Sequence, residues 1–234
     1  MRKRIIMTGE KNSKHGRLVF SKNNLLWILS FAFLAAFLLL SHSVLKKEVF
    51  DFDSIIYDFI RSFHSPMVTK FFHFVTHFAG GYILVGICLL IYCFKRSRRL
   101  FWLISLNLVN TIVFNQVLKL FFARERPLGI AIIEESGYSF PSGHSMAAMS
   151  FYGLLIYIIY HSRFSSRLKK ISIICLSILI LLIGVSRIYL GVHYVSDVVG
   201  GFCLSLTYLI IFTRFTHKYI LRGGSNEKEK EFID

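Results

Sequence analysis

Apolar residues along this chain gather into six runs of about 20, separated by short polar stretches: Leu25–Leu45, Val75–Phe94, Leu100–Leu118, Ser142–Tyr160, Ile171–Leu190 and Tyr194–Thr213. A helix of that length spans the ~30 Å hydrocarbon core of a bilayer. The first three runs contain no Asp, Glu, Lys or Arg. The pattern therefore predicts six transmembrane helices. Between the first two runs, Val49, Phe52, Ile55, Ile56, Phe59, Ile60 and Phe63 recur at spacings of three and four. Asp51, Ser54, Asp58 and Arg61 take the other face, which predicts an amphipathic helix packed at the outer membrane surface.

Composition narrows the class further. Of 234 residues, 54% are hydrophobic and 18% charged, against about a quarter charged in soluble domains. A soluble globular enzyme and a disordered chain are excluded. So is an open sheet, whose edge groups lipid cannot satisfy. The expected fold is an all-α integral membrane protein with one six-span domain over residues 25–213. A basic leader covers residues 1–24, and a charged tail 214–234. The first run, at 21 residues, is too long for the apolar region of a cleaved signal peptide and reads as a retained anchor helix.

The net charge of +15 acquires meaning from its distribution. With six crossings, both termini share a side, and that side carries 20 of the Lys and Arg residues against 8 opposite. The positive-inside rule places both termini in the cytoplasm. The basic balance thus reports topology and contact with anionic lipid, and no nucleic-acid partner is expected. Cys88, Cys93, Cys175 and Cys203 all fall within apolar runs and are expected to be small buried residues, without disulfides or metal-type spacing.

Polar residues that such runs should exclude cluster at the outer end of the last four spans: Lys119-x6-Arg126-Pro127, Pro141-Ser142-Gly143-His144, Ser186-Arg187 and His193-x3-Asp197. Ionisable groups at membrane depth are costly and mark function. Lys119 and Arg126 are two helical turns apart and share a face if the third span continues to Pro127, where it should end. Ser142-Gly143-His144 opens the fourth span, where unpaired backbone N–H groups favour an anion. His193 and Asp197 share a helix face, so the carboxylate can hold one imidazole nitrogen and present the other as a nucleophile. Arg187, six residues earlier, reaches them only if the chain breaks near Gly191. Three cations, an N–H nest and two histidines describe phosphoryl transfer. Asp197 stands alone, with no carboxylate cluster suited to magnesium, so neither metal nor cofactor is expected.

The motifs K-x6-RP, PSGH and SR-x5-H-x3-D, here Lys119–Pro127, Pro141–His144 and Ser186–Asp197, resemble the three signatures of the type 2 phosphatidic acid phosphatase family. That family shares its pocket with bacterial acid phosphatases and vanadium haloperoxidases. The resemblance implies a membrane lipid phosphatase in which His193 forms a phosphohistidine, Asp197 orients it and His144 is the general acid. It also implies Lys119, Arg126, Ser142, Gly143 and Arg187 as phosphate ligands. Arg124 and Glu125 lie outside the signature, and Glu125 is expected to pair with a neighbouring arginine. The expected substrate is a lipid at the outer face of a bacterial plasma membrane: undecaprenyl diphosphate first, then phosphatidylglycerophosphate or phosphatidic acid. A transporter would instead place its charges near the midplane. His73 and His77 have metal-ligand spacing without a third ligand and read as an interfacial polar stripe. Asn107, Asn110, Asn115 and Gln116 read as interhelical glue.

Overall fold

The computed structural model describes residues 22–47, 50–93, 98–127 and 129–221. Residues 1–21, 48–49, 94–97, 128 and 222–234 lie outside the described residues, and with them most of the expected basic leader and part of the expected charged tail. Among those described, the chain forms α1 (Lys22–Leu45), α2 (Asp51–Arg61), α3 (Pro66–Thr76), α4 (Gly81–Cys93), α5 (Arg98–Phe122), α6 (Gly143–His161), α7 (Ser166–Tyr189) and α8 (Val195–Leu221). Among the described residues, five helices are long and apolar enough to cross a membrane. A sixth crossing is made if the bent pair α3 and α4 counts as one.

That bent pair corrects the expected second span, Val75–Phe94. The helix starts earlier, at Pro66, where Ser65 Oγ accepts from Val68 N at 3.3 Å and proline suits the first helical position. It tightens into a single 3-10 turn at His77–Ala79 and bends by 50° before α4. Gly80-Gly81 at the bend is the physical reason, since adjacent glycines are poor helix formers. Thirteen residues of α4 rise only about 20 Å, so neither half crosses alone.

Helix α6 is central, packed against α5, α7 and α8, while α1 lies along α8 and α3 along α7. Leu84, Ile104, Leu108, Phe151, Leu154 and Ile183 form the main apolar core. Leu39, Trp102, Leu120 and Phe121 are exposed on the outside, as lipid-facing residues should be. Polar glue is present where expected. Asn107 donates to Ser150 O and accepts from Ser150 Oγ, both at 3.1 Å. Asn110 reaches Tyr208 at 3.3 Å, and Asn115 holds Pro141 O at 3.0 Å. Gln116 differs, being exposed on the helix surface. The cysteines divide too: Cys88 and Cys203 are buried as expected, whereas Cys93 and Cys175 are exposed.

Helix α2 forms where the amphipathic pattern places it, but its stripe is split. Phe52, Tyr57 and Ile60 pack on Ile188, Val195 and Val198, while Ile55, Phe59 and Phe63 remain exposed. Asp53, omitted from the expected polar face, is buried.

Candidate active site

Three chain reversals bring the polar clusters together. Helix α5 stops at Phe122, five residues short of Pro127, and Ala123 takes a left-handed φ of 46°. Arg126 therefore does not share a helical face with Lys119, because the third span does not continue to Pro127 as the shared face required. It arrives instead on the extended segment beyond. The second reversal is the start of α6, capped by Ser142, whose Oγ accepts from Ser145 N at 3.4 Å. Ser142 N in turn donates to the Asp197 backbone carbonyl at 3.1 Å, joining the starts of α6 and α8. Gly143 sits where a Cβ would lie 2.9 Å from Asn115 Oδ1, so only glycine lets α5 and α6 meet this closely. The third reversal is the break expected near Gly191. There φ is +70° and a Cβ would lie 2.3 Å from Ile130 O. Helix α7 ends at Tyr189, and Arg187 turns back toward His193.

His193 is buried between Asp197 and Arg126. Its Nδ1 lies 3.3 Å from Asp197 Oδ2, and Arg126 Nη1 is 3.2 Å from its Nε2. An arginine can only donate. Nε2 is therefore the unprotonated nitrogen, and Nδ1 carries the proton that Asp197 accepts. Burial is the main cause that pushes the His193 pKa down, to about 4, with Arg187 and Arg126 adding to it and Asp197 opposing. The ring is thus neutral near pH 7, with its Nε2 lone pair turned toward cations.

Arg126 also donates to Gly137 O at 3.0 Å, Ser136 O at 2.9 Å and Val192 O at 2.9 Å. Arg187 donates through Nη1 to Thr76 Oγ1 at 2.8 Å and pairs through Nη2 with Glu135, while its buried Nε has no partner among the described residues. His144 is close enough to feel the charges of Arg187, His193, Lys119 and Arg126. Lys119 likewise feels Arg126, Glu135, Arg187 and Asp197. His144 also borders a cavity of about 180 Å³ between α4, α5 and α6, walled by Leu84, Leu108, Ile112 and Ala147. All eight residues singled out from the sequence thus meet at one end of the bundle.

Four functional neighbours escaped the sequence reading. Ser139 donates to Asp197 Oδ2 and lies 3.3 Å from His193 Nδ1. Arg124 Nη1 lies 2.6 Å from Asp197 Oδ1. Asp53 pairs with Arg124 at 3.4 Å. Glu135 is an acid on the site arginines, reaching Arg187 and, at 3.7 Å, Arg126. Asp197 is accordingly not alone, but each added carboxylate is already committed to an arginine. Asp53 alone left a signal, a carboxylate at a position where the spacing of Val49, Phe52, Ile56 and Ile60 calls for an apolar residue. His73 and His77 stand apart from these clusters, with His77 Nδ1 bonded to His73 O.

Residues 99–221 match the family model for the PAP2 superfamily. The chain is 33% identical over 186 residues to phosphatidylglycerophosphatase B of Bacillus subtilis, covering 78% of this chain and 92% of that one. It is 26% identical over 159 residues to an undecaprenyl-diphosphatase of Sulfolobus acidocaldarius, covering 65% and 70%. The crystal structure of a transmembrane PAP2-type phosphatidylglycerolphosphate phosphatase from Bacillus subtilis superposes with a TM-score of 0.72 at 29% identity, covering 81% of this chain and 96% of that one.

Proposed function

The chain belongs to the PAP2 superfamily and is a multi-pass membrane lipid phosphatase, and from that premise we propose that it works through a phosphohistidine on His193 at the outer membrane face. The observation that carries this reading is the placement of Arg126 on His193 Nε2 with Asp197 on Nδ1.

When substrate arrives, the Arg126 guanidinium moves from Nε2 to a phosphoryl oxygen and frees the lone pair. Nε2 attacks phosphorus, a P–N bond forms and the P–O bond to the lipid breaks. Lys119, Arg126, Arg187 and the N–H groups at the start of α6, with Ser142 and Gly143, hold the equatorial oxygens. His144 gives its proton to the departing oxygen. Water then attacks the phosphohistidine, passing a proton to His144, and phosphate leaves as the P–N bond breaks. Asp197 keeps the ring aligned throughout and stabilises the imidazolium that attack creates. No step draws on a metal or cofactor.

The Lys and Arg asymmetry supports cytoplasmic termini and a site open to the outer leaflet, and the Bacillus subtilis relative supports a bacterial plasma-membrane location. It also supports the division into leader, six-span domain and tail. Undecaprenyl diphosphate is the substrate this reading favours, because three cations suit a diphosphate. Phosphatidylglycerophosphate is the second reading, favoured by the name of the 33% identical relative. The test is His193→Ala. It should abolish both turnover of these lipids and acid-labile phosphate on the protein, while wild-type activity survives EDTA. Turnover retained by His193→Ala would overturn the mechanism.

A further inference from the structure

The transfer scheme uses only one oxygen of Asp197. Oδ2 receives the Ser139 hydroxyl, the Tyr194 N–H at 2.9 Å and His193 Nδ1. Oδ1 faces away from the histidine, and Arg124 Nη1 lies 2.6 Å from it. The same nitrogen donates to Ser196 Oγ at 2.7 Å, and Nη2 lies 3.4 Å from Asp53 Oδ2. Asp53 completes the ring by accepting Ser196 N and Ser196 Oγ, each at 2.7 Å. The Tyr194 ring covers the guanidinium at 4.1 Å. Asp53 and Asp197 are both almost wholly buried, at 3% and 0% exposed.

Such an arrangement is poorly placed to bind phosphate. The Arg124 donors point at two carboxylates and a serine, and an aromatic ring lies over one face. Its effect is mechanical and electrostatic instead. A carboxylate held at one oxygen can swing about its Cβ–Cγ bond. One held at both is fixed in plane, and the imidazole bonded to it is fixed as well.

We propose that Arg124 and Asp53 are positioning residues of phosphoryl transfer, clamping Asp197 from behind so that His193 stays aimed at phosphorus, with helix α2 contributing half of the clamp. The proposal rests on His193 being the nucleophile. Because Asp53 lies on the helix whose exposed Ile55 and Phe59 meet the membrane surface, the seating of α2 bears directly on the aim of the nucleophile.

The charges acting on His193 come from several sides: Arg126 on the segment after α5, Glu135 on the 129–137 loop, His144 on α6, Arg187 on α7 and Asp197 on α8, with Lys119 on α5 acting on Asp197. Arg124 and Asp53 act through Asp197. Removing Arg124 leaves Asp197 with uncompensated negative charge, which favours the imidazolium. Removing the Asp53 charge turns Arg124 more fully onto Asp197 and disfavours it. The two changes therefore shift the titration of His193 in opposite directions, which a general loss of packing would not do.

The test compares Arg124→Gln, Arg124→Lys and Asp53→Asn in the full-length protein in mixed micelles. Arg124→Gln should lower kcat by at least ~30-fold, as misaimed reacting groups do, with KM within about threefold. Arg124→Lys should recover part of the loss. The acid limb of kcat/KM should move up in pH for Arg124→Gln and down for Asp53→Asn. Limbs that stay put or move together, or a loss confined to KM, would overturn the clamp. Should Arg124→Gln fail to fold, the downward shift in Asp53→Asn still decides. His193→Ala run alongside separates the two failures, since turnover there would defeat the nucleophile assignment and not the clamp.

Discussion

Glu135 is ion-paired with Arg187, and its carboxylate also lies 3.7 Å from Arg126. Both arginines are proposed to hold the transferred phosphate, so the protein keeps its own anion where the substrate's must go. Arg187 is only 1% exposed, and its Nε has no partner among the described residues. Burial alone would raise the Glu135 pKa, but Arg187 and Arg126 outweigh it and hold the group below the ordinary carboxylate range. Glu135 is therefore charged at neutral pH, and an incoming phosphate must displace it.

Glu135→Gln should bind vanadate or inorganic phosphate about five- to tenfold more tightly, equivalent to roughly 1 kcal/mol of relieved competition. The same variant should unfold at lower temperature without ligand, because a buried guanidinium loses its counter-charge, and vanadate should restore most of the difference. With the folded pKa of Glu135 depressed, its stabilisation is present above the unfolded value and fades as pH falls through the folded one. Inhibition titrations and thermal melts check both signs. Weaker vanadate binding in Glu135→Gln would instead make Glu135 part of the anion site.

The pH profile should carry the mark of a buried neutral histidine. An unfolded His193 takes up a proton near pH 6.5, whereas the folded one stays neutral down to about 4. Between those values the unfolded chain binds more protons. The His193 contribution to stability therefore falls as pH drops from 6.5 toward 4. Activity depends on the free lone pair. After correction for substrate ionisation, kcat/KM should hold through pH 6.5 and decline only as pH nears 4. An acid limb at or above 6.5 would mean that the nucleophile titrates as an exposed histidine.

Gly191 links backbone to chemistry. Its φ of +70° is left-handed, and a Cβ there would meet the Ile130 carbonyl at 2.3 Å. Gly191→Ala should destabilise the protein by at least ~2 kcal/mol through strain and clash together. It should also lower turnover more than Gly129→Ala, where φ is +73° but the space is open. The comparison isolates the clash from the φ penalty. Equal effects at the two glycines would show that the close approach of the 129–137 loop to the α7–α8 turn does not matter.

The spans were legible because lipid imposes a length on apolar runs, and the site was legible because charge is expensive there. Lys119, Arg126, His144, Arg187, His193 and Asp197 stand out for that reason alone. The bend at Gly80-Gly81 was hidden, since hydropathy records how apolar a segment is and not whether it is straight. Arg124 and Glu135 were hidden because they lie on non-helical segments, where no periodicity assigns a face and only tertiary folding selects a partner. Ser139 was hidden for the same reason, two residues before the PSGH motif. Asp53 could have been found, because a carboxylate inside an apolar stripe is costly unless something buried answers it. Here Arg124 and Ser196 answer it.

Head-group choice is the prediction that bears most on biological role. Lys119, Arg126 and Arg187 are the three cations proposed to hold the phosphate, and His144 borders a cavity of about 180 Å³ whose walls mix Leu84, Leu108 and Ile112 with Thr111, Asn115 and Gln116. A diphosphate suits the three cations, since its second phosphate engages the surplus cation and leaves more readily than a glyceride alkoxide. A phosphate leaving group also depends less on His144 than an alkoxide does. His144→Ala should therefore slow hydrolysis of phosphatidylglycerophosphate at least ~10-fold more than that of undecaprenyl diphosphate. Wild-type kcat/KM should be higher for the diphosphate, and overexpression in a bacterium should raise tolerance to bacitracin, which sequesters it. The relatives named above divide between these two lipids, so the assay is run with both in the same micelles. A higher kcat/KM for phosphatidylglycerophosphate, with bacitracin tolerance unchanged, would assign the enzyme to phospholipid synthesis while leaving His193, Asp197 and His144 in their proposed roles.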